Sequence, residues 1–107
     1  MTKIYPYADQ SQVDLFHQYS AALGLNAASL LRMLLVRRVR PGGLVPQQHA
    51  DLIENRTKIP VDLPPDLYEE VARYALQKQA PPAEIAAQEM LFELQSRSLE
   101  RFLLGNP

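Results

Sequence analysis

Few side chains in this sequence are arranged to make or break bonds. The two histidines, His17 and His49, stand at no ligand spacing and cysteine is absent, so the usual imidazole and thiolate metal sites cannot be assembled. Glu69 and Glu70 are adjacent, and adjacent side chains on a helix point apart, which removes a carboxylate pair for acid–base work. No serine–histidine–acid set, glycine-rich phosphate loop or dinucleotide fingerprint occurs. The reading is of a protein that is not an enzyme and takes no cofactor. What remains is a set of hydrogen-bonding and cationic groups. Lys3, Tyr5 and Tyr7 alternate near the start, Asn26, Ser29 and Arg32 follow, Arg37, Arg38 and Arg40 cluster, and Lys58 comes later. Such groups recognise anions and polar edges.

The elements that must position them can be read from periodicity. Residues 26–40 form the most apolar helix: Leu31, Leu35 and Val39 recur every four residues with Leu34 and Val36 beside them. Asn26 is a suitable N-cap. Arg37, Arg38 and Arg40 crowd the last turn, where cations complement the helix dipole, so a solvated, dipole-complementing helix end is expected of them first and a phosphate-contacting cluster second. Pro41-Gly42-Gly43 stops the helix. Before it, Val13, Leu15, Phe16, Tyr19, Ala22 and Leu23 mark a helix capped by Asp9 or Ser11 and ended by Gly24. Earlier still, residues 2–7 are rich in β-formers and read as a strand.

After residues 41–56, a connection with a short helix over 47–54 and Leu52 and Ile53 tucked beneath the domain, the pattern restarts. Thr57-Lys58-Ile59 repeats Thr2-Lys3-Ile4, and Ile59, Val61 and Leu63 alternate with polar or proline positions as in a half-buried strand. Pro64-Pro65-Asp66 opens a helix carrying Leu67, Tyr68, Val71, Tyr74 and Ala75. Pro81-Pro82 opens the last, whose stripe of Ile85, Ala86, Met90, Leu91 and Leu94 continues past Arg97 toward Leu103. The two halves share the order strand, helix, break, helix, with apolar stripes in register at an offset of 55. Residues 1–42 and 57–104 are thus two units joined by a linker over 43–56. Neither alone can bury an adequate core, because small chains leave too much surface exposed. The strands are expected to pair antiparallel and the second helices to cross, with Leu35 and Met90 at the crossing.

Composition limits the partners. The chain has 107 residues, 47% of them hydrophobic, and a net charge of −1. Residues 1–50 hold five Lys/Arg against two acids, +3, and residues 51–107 hold six against ten, −4. Indiscriminate nucleic-acid binding is disfavoured, but one basic face is allowed. No apolar run approaches the ~18 residues of a membrane span and no secretory leader is recognisable. A cytoplasmic protein without a membrane partner is expected.

Strand–helix–helix units of about 45 residues used as an intertwined pair resemble the ribbon-helix-helix (MetJ/Arc) family of bacterial and phage DNA-binding proteins. Two units in one chain resemble the TraY-type conjugation proteins. The stretch Ala22-Leu23-Gly24-Leu25-Asn26-Ala27-Ala28-Ser29-Leu30 looks like that family's inter-helix turn. The resemblance implies a mainly α fold with a short β-ribbon, a tandem pseudo-dimer in one chain. It implies double-stranded DNA as partner, in transcription regulation or plasmid transfer, with further copies of the chain on adjacent sites. Outward ribbon residues would read bases: Lys3, Tyr5 and Tyr7 from one unit, Lys58, Pro60 and Asp62 from the other. The helix N-terminus at Asn26 and Ser29 would clamp a phosphate, with Arg32 adding charge a turn further on. The second unit departs from this pattern. Pro60 has no donor, Asp62 repels phosphate, Pro82 removes an amide and Glu84 adds negative charge. The alternative is a protein-interaction module on the same fold without DNA binding.

The prolines set a conflict within the ribbon. Directly opposed residues in an antiparallel pair share a face and a hydrogen-bonding status. If Pro6 and Pro60 both occupy non-bonded positions, Tyr5 and Tyr7 fall on the inward face with Ile59 and Val61. The escapes are a bulge, a ladder bond lost at one proline, or pairing of like strands between chains.

Overall fold

The structure, a computed structural model, describes residues 2–40 and 56–104. The order is β1 (Thr2–Ile4), β2 (Tyr7–Asp9), α1 (Gln10–Ala22), α2 (Ala27–Val39), β3 (Arg56–Lys58), β4 (Val61–Leu63), α3 (Pro65–Lys78), α4 (Pro82–Ser96) and α5 (Ser98–Leu104). The protein is mainly helical with a short antiparallel ribbon. Among the described residues no single helix is long and apolar enough to cross a membrane. The expected stop at 41–43 and the short helix over 47–54 lie outside the described residues.

The strand pairing resolves the proline conflict. β1 pairs with β4, Thr2 opposite Leu63, Lys3 opposite Asp62 and Ile4 opposite Val61. β2 pairs with β3, Tyr7 opposite Lys58, Ala8 opposite Thr57 and Asp9 opposite Arg56. Two residues intervene on each strand between these ladders, so Tyr5 faces Pro60 and Pro6 faces Ile59 in one unbulged register. The Ile59 amide donates to the Pro6 carbonyl at 2.9 Å, and Pro6 has no N–H to return the bond. One proline therefore forfeits one ladder bond, while Pro60 sits at a non-bonded pair where its missing donor removes nothing. Each expected strand is split in two at its proline. Ile4, Pro6 and Ala8 point inward with Ile59, Val61 and Leu63.

Local chemistry sets the helix ends. Asp9, not Ser11, caps α1: its carboxylate accepts from the Ser11 amide, and the Gln12 side chain accepts from the Asp9 amide at 3.3 Å. Gly24, at φ +78, lets the Gly24 amide reach the Ala21 carbonyl and the Leu25 amide the Ser20 carbonyl, a Schellman closure that favours glycine. Gln79, at φ 57, makes the same closure to Leu76 and Ala75 after α3. Asn26 then starts α2, its side chain accepting from the Ser29 amide at 2.8 Å, and α2 leaves α1 through an 88° bend. The last helix does not run through to Leu103. Arg97, at φ 49, breaks it, and α5 begins anew.

The inner ribbon face, α1, α2, α3 and α4 enclose a single core. Leu30, Leu31, Leu34 and Leu35 of α2 and Ile85, Ala86 and Met90 of α4 are fully buried, and these two helices pack against each other. Val13, Phe16 and Tyr19 of α1 and Leu67, Val71 and Ala75 of α3 flank them. Every strand finds its partner in the other half of the chain. Leu35→Ala, which opens a void among rigidly packed neighbours, is expected to cost about 2–5 kcal/mol. Urea unfolding checks this, and a loss below about 1 kcal/mol would place Leu35 outside the core.

Candidate nucleic-acid interface

The ribbon register aligns Lys3, Tyr5 and Tyr7 on its outer face opposite Asp62, Pro60 and Lys58, with Asp9 opposite Arg56 at the end of the same face. Lys3, Tyr5, Tyr7, Lys58, Pro60 and Asp62 are exposed or half-buried. Tyr5 keeps 49% of its surface in solvent, and the Lys58 ammonium lies 6.0 Å from its ring centroid. Lys3 Nζ stands 4.0 Å from Asp62 Oδ1. The face therefore mixes cations, two phenols, a proline and the Asp62 carboxylate, while the Asp9 carboxylate is turned to cap α1.

The start of α2 lies beside this face. Arg32 joins them, its Nη1 donating to the Asp62 carbonyl at 3.2 Å and its Nη2 to the Ser29 hydroxyl at 3.1 Å. A shallow cleft of about 520 Å³ separates the ribbon from the α1–α2 turn, lined by His17, Ala21, Asn26, Ala28, Ile59 and Pro60 among others. First-turn amides of a helix have no intrahelical acceptor and favour anions. The structure thus brings Lys3, Tyr5, Tyr7 and Lys58 onto one face and sets Asn26, Ser29 and Arg32 at its border. The opposite helix start is poorer. α4 begins after Pro81 with no side-chain cap, has proline in its first turn, and carries Glu84 there.

Arg37 and Arg38, at the end of α2, are neither a solvated helix end nor a free cationic cluster. Arg38 is 5% exposed and its guanidinium is hydrogen-bonded to Glu89, which is wholly buried. Arg37 donates from Nη2 to Glu93 at 3.2 Å and from Nη1 to the Ser98 hydroxyl at 2.9 Å. Glu93 also accepts from Tyr19 at 2.6 Å, from the Ser98 hydroxyl and from the Leu99 amide at 2.8 Å. Only Arg40 stays at the surface, near Glu70 at 3.5 Å. This network joins α1, α2, α4 and α5. Burial raises Glu89 above the ordinary carboxylate range, and Arg38 pulls it back only in part. Burial and the bond to Glu93 likewise push the Tyr19 phenol well up.

Sequence reading overlooked Glu89 and Glu93, although a signal was present. Arg38 follows Leu34 by four residues and Leu35 by three, and Glu89 follows Ile85 by four and Ala86 by three. Opposite charges thus occupy core-facing positions on the two helices expected to cross. Asp62 meets Lys3 only through the strand register, which places the two side chains opposite each other. Comparisons with known proteins find no matching family model, curated protein or solved structure.

Removing one member of a buried ion pair strands the other. Arg38→Ala is therefore expected to cost about 3–5 kcal/mol by chemical denaturation, whereas replacing Arg38 and Glu89 together with leucine should recover most of that loss. A raised acid holds its proton more tightly folded than unfolded. Its stabilising term is full at low pH and declines as pH rises through the folded-state value. The stability gap between wild type and Glu89→Gln should accordingly be wider near about pH 5 than near about pH 8. Melting curves at the two pH values check the sign.

Proposed function

We propose that this chain is a tandem ribbon-helix-helix protein, its two halves forming one pseudo-dimeric core, that binds double-stranded DNA asymmetrically with its ribbon in the major groove. The supporting observation is the outer ribbon face, where Lys3, Tyr5 and Lys58 are exposed together beside the capped N-terminus of α2. A two-stranded ribbon fits the major groove, and the Ala27 and Ala28 amides, ahead of the Ser29 amide that Asn26 caps, suit a phosphate. Arg32 bonds to both surfaces and so links the reading strand to the clamping helix start.

The asymmetry follows from composition. The α2 start carries Asn26, Ser29 and Arg32, while the α4 start carries Pro82 and Glu84. One chain supplies one good clamp, so binding tightens when further copies occupy adjacent sites. Arg37 and Arg38 are committed to buried carboxylates and take no part. The role in the cell that fits this reading is transcription regulation or plasmid transfer.

The test is titration of labelled duplex pools at two salt concentrations. Lys58→Ala and Lys3→Ala are each expected to weaken binding by about 1–3 kcal/mol if the lysine meets a base. If it meets phosphate, the loss should be uniform over sequences and the salt slope should fall by about one. Absence of salt-dependent binding to any duplex, together with capture of one discrete protein partner, would favour the protein-interaction module instead.

A further inference from the structure

Lys3 and Asp62 are directly opposed at a non-bonded position of the ribbon, the kind of pair in which facing side chains stand closest. Their charged atoms are 4.0 Å apart and each side chain is 46% exposed. Such a pair holds itself together weakly, and among the described residues neither charged group makes a hydrogen bond, leaving three protons on the ammonium and lone pairs on both carboxylate oxygens. The ribbon therefore presents a donor from one strand beside an acceptor from the other.

We infer that Lys3 and Asp62 act together as a reader of a single G·C base pair, an inference that rests on the DNA-binding reading above. In the major groove guanine offers two acceptors, N7 and O6, and cytosine offers the N4 donor beside them. Acceptors and donor are segregated onto the two bases, as donor and acceptor are segregated onto the two strands here. An A·T pair places its one donor between two acceptors, beside a methyl group, so an ammonium bridging two acceptors loses its match. The pair is neutral as a unit, which removes the objection that an aspartate near DNA is simply repelled. Arg32 donates to the Asp62 carbonyl at 3.2 Å and holds that residue's backbone against the ribbon border, adding positive charge behind the carboxylate.

The other end of the ribbon provides a built-in contrast. Lys58 stands opposite Tyr7, its ammonium leans toward the Tyr5 ring, and the carboxylate diagonal to it on this face, Asp9, is turned to cap α1. That end should favour acceptors without excluding A·T. Asp62 and Lys58 are four residues apart along one strand, roughly 13 Å at the rise of an antiparallel strand. At about 3.4 Å per base pair, the strict position and the tolerant one lie about four base pairs apart.

The experiment selects binders from a random duplex library with the full chain, then titrates the best duplex and its single-base-pair variants by fluorescence anisotropy. For wild type, changing one G·C to A·T should weaken binding about tenfold or more, while changes about four base pairs away should matter much less. Asp62→Ala should bring discrimination at the strict position to within about twofold, and Asp62→Asn should turn it toward A·T, since asparagine pairs with adenine N6 and N7. A reversal of preference cannot come from misfolding. If Asp62→Ala keeps the same G·C preference, at whatever affinity, this inference is overturned and the DNA-binding reading stands. If wild type binds no duplex at either salt concentration, both fail.

Discussion

The antiparallel register between residues 2–9 and 56–63 is the constraint from which the rest of the arrangement follows. Because side chains alternate across a strand, a slip of one residue would exchange the two faces. In the register adopted, Ile4, Pro6 and Ala8 join Ile59, Val61 and Leu63 against the helices, and the lysines and tyrosines face out. Keeping that register means losing one hydrogen bond at Pro6. A single hydrogen bond is worth about 0.5–1.5 kcal/mol, whereas inverting the strand would expose several apolar side chains worth about 1.5–3 kcal/mol each. Hydrophobic burial decides the pairing and the proline is tolerated.

The ribbon also joins the two halves of the chain, since among the described residues no strand pairs within its own half. Helices α2 and α4 meet above it, and their contact is of two kinds. Toward the ribbon it is a leucine and methionine core. Toward the ends of the helices it becomes ionic, with Arg37 and Arg38 answering Glu89 and Glu93. A buried charge requires a partner at a fixed place, so these pairs constrain how α2 and α4 lie against each other in a way leucines alone would not. The same network recruits Tyr19 and the start of α5, with the Glu100 amide donating to the Tyr19 hydroxyl at 3.1 Å. The C-terminal turn of the protein is thereby fastened to its first helix.

This division separates the positive charge of residues 1–50 by role. Arg37 and Arg38 are absorbed by the core, Arg40 stays at the surface beside Glu70, and what remains toward the ribbon is Lys3 and Arg32, joined there by Lys58 from the other half. The cationic character suggested by composition is consequently smaller at the surface and more localised. Apart from Arg40, it lies along one edge, where Asp62 offsets part of it.

The sequence by itself determined the order strand, helix, helix in each half, the cap at Asn26 and most of the core. Asn26 and Gly24 mark their turn by local chemistry, Pro64-Pro65 and Pro81-Pro82 open helices whatever surrounds them, and the apolar periodicities of α2 and α4 identify the residues that are buried. Each of these depends on contacts within a few residues along the chain. The parity of Lys3, Tyr5 and Tyr7 against Lys58 and Asp62 was legible as a pattern, but local rules left it undecided, because the two prolines argued against it. Only the tertiary structure settled the strand register, the break at Arg97, the pairing of Arg38 with Glu89 and the meeting of Lys3 with Asp62. All four involve partners or packing distant in sequence, where the competition is between a local preference and the larger free energy of closing a shared core.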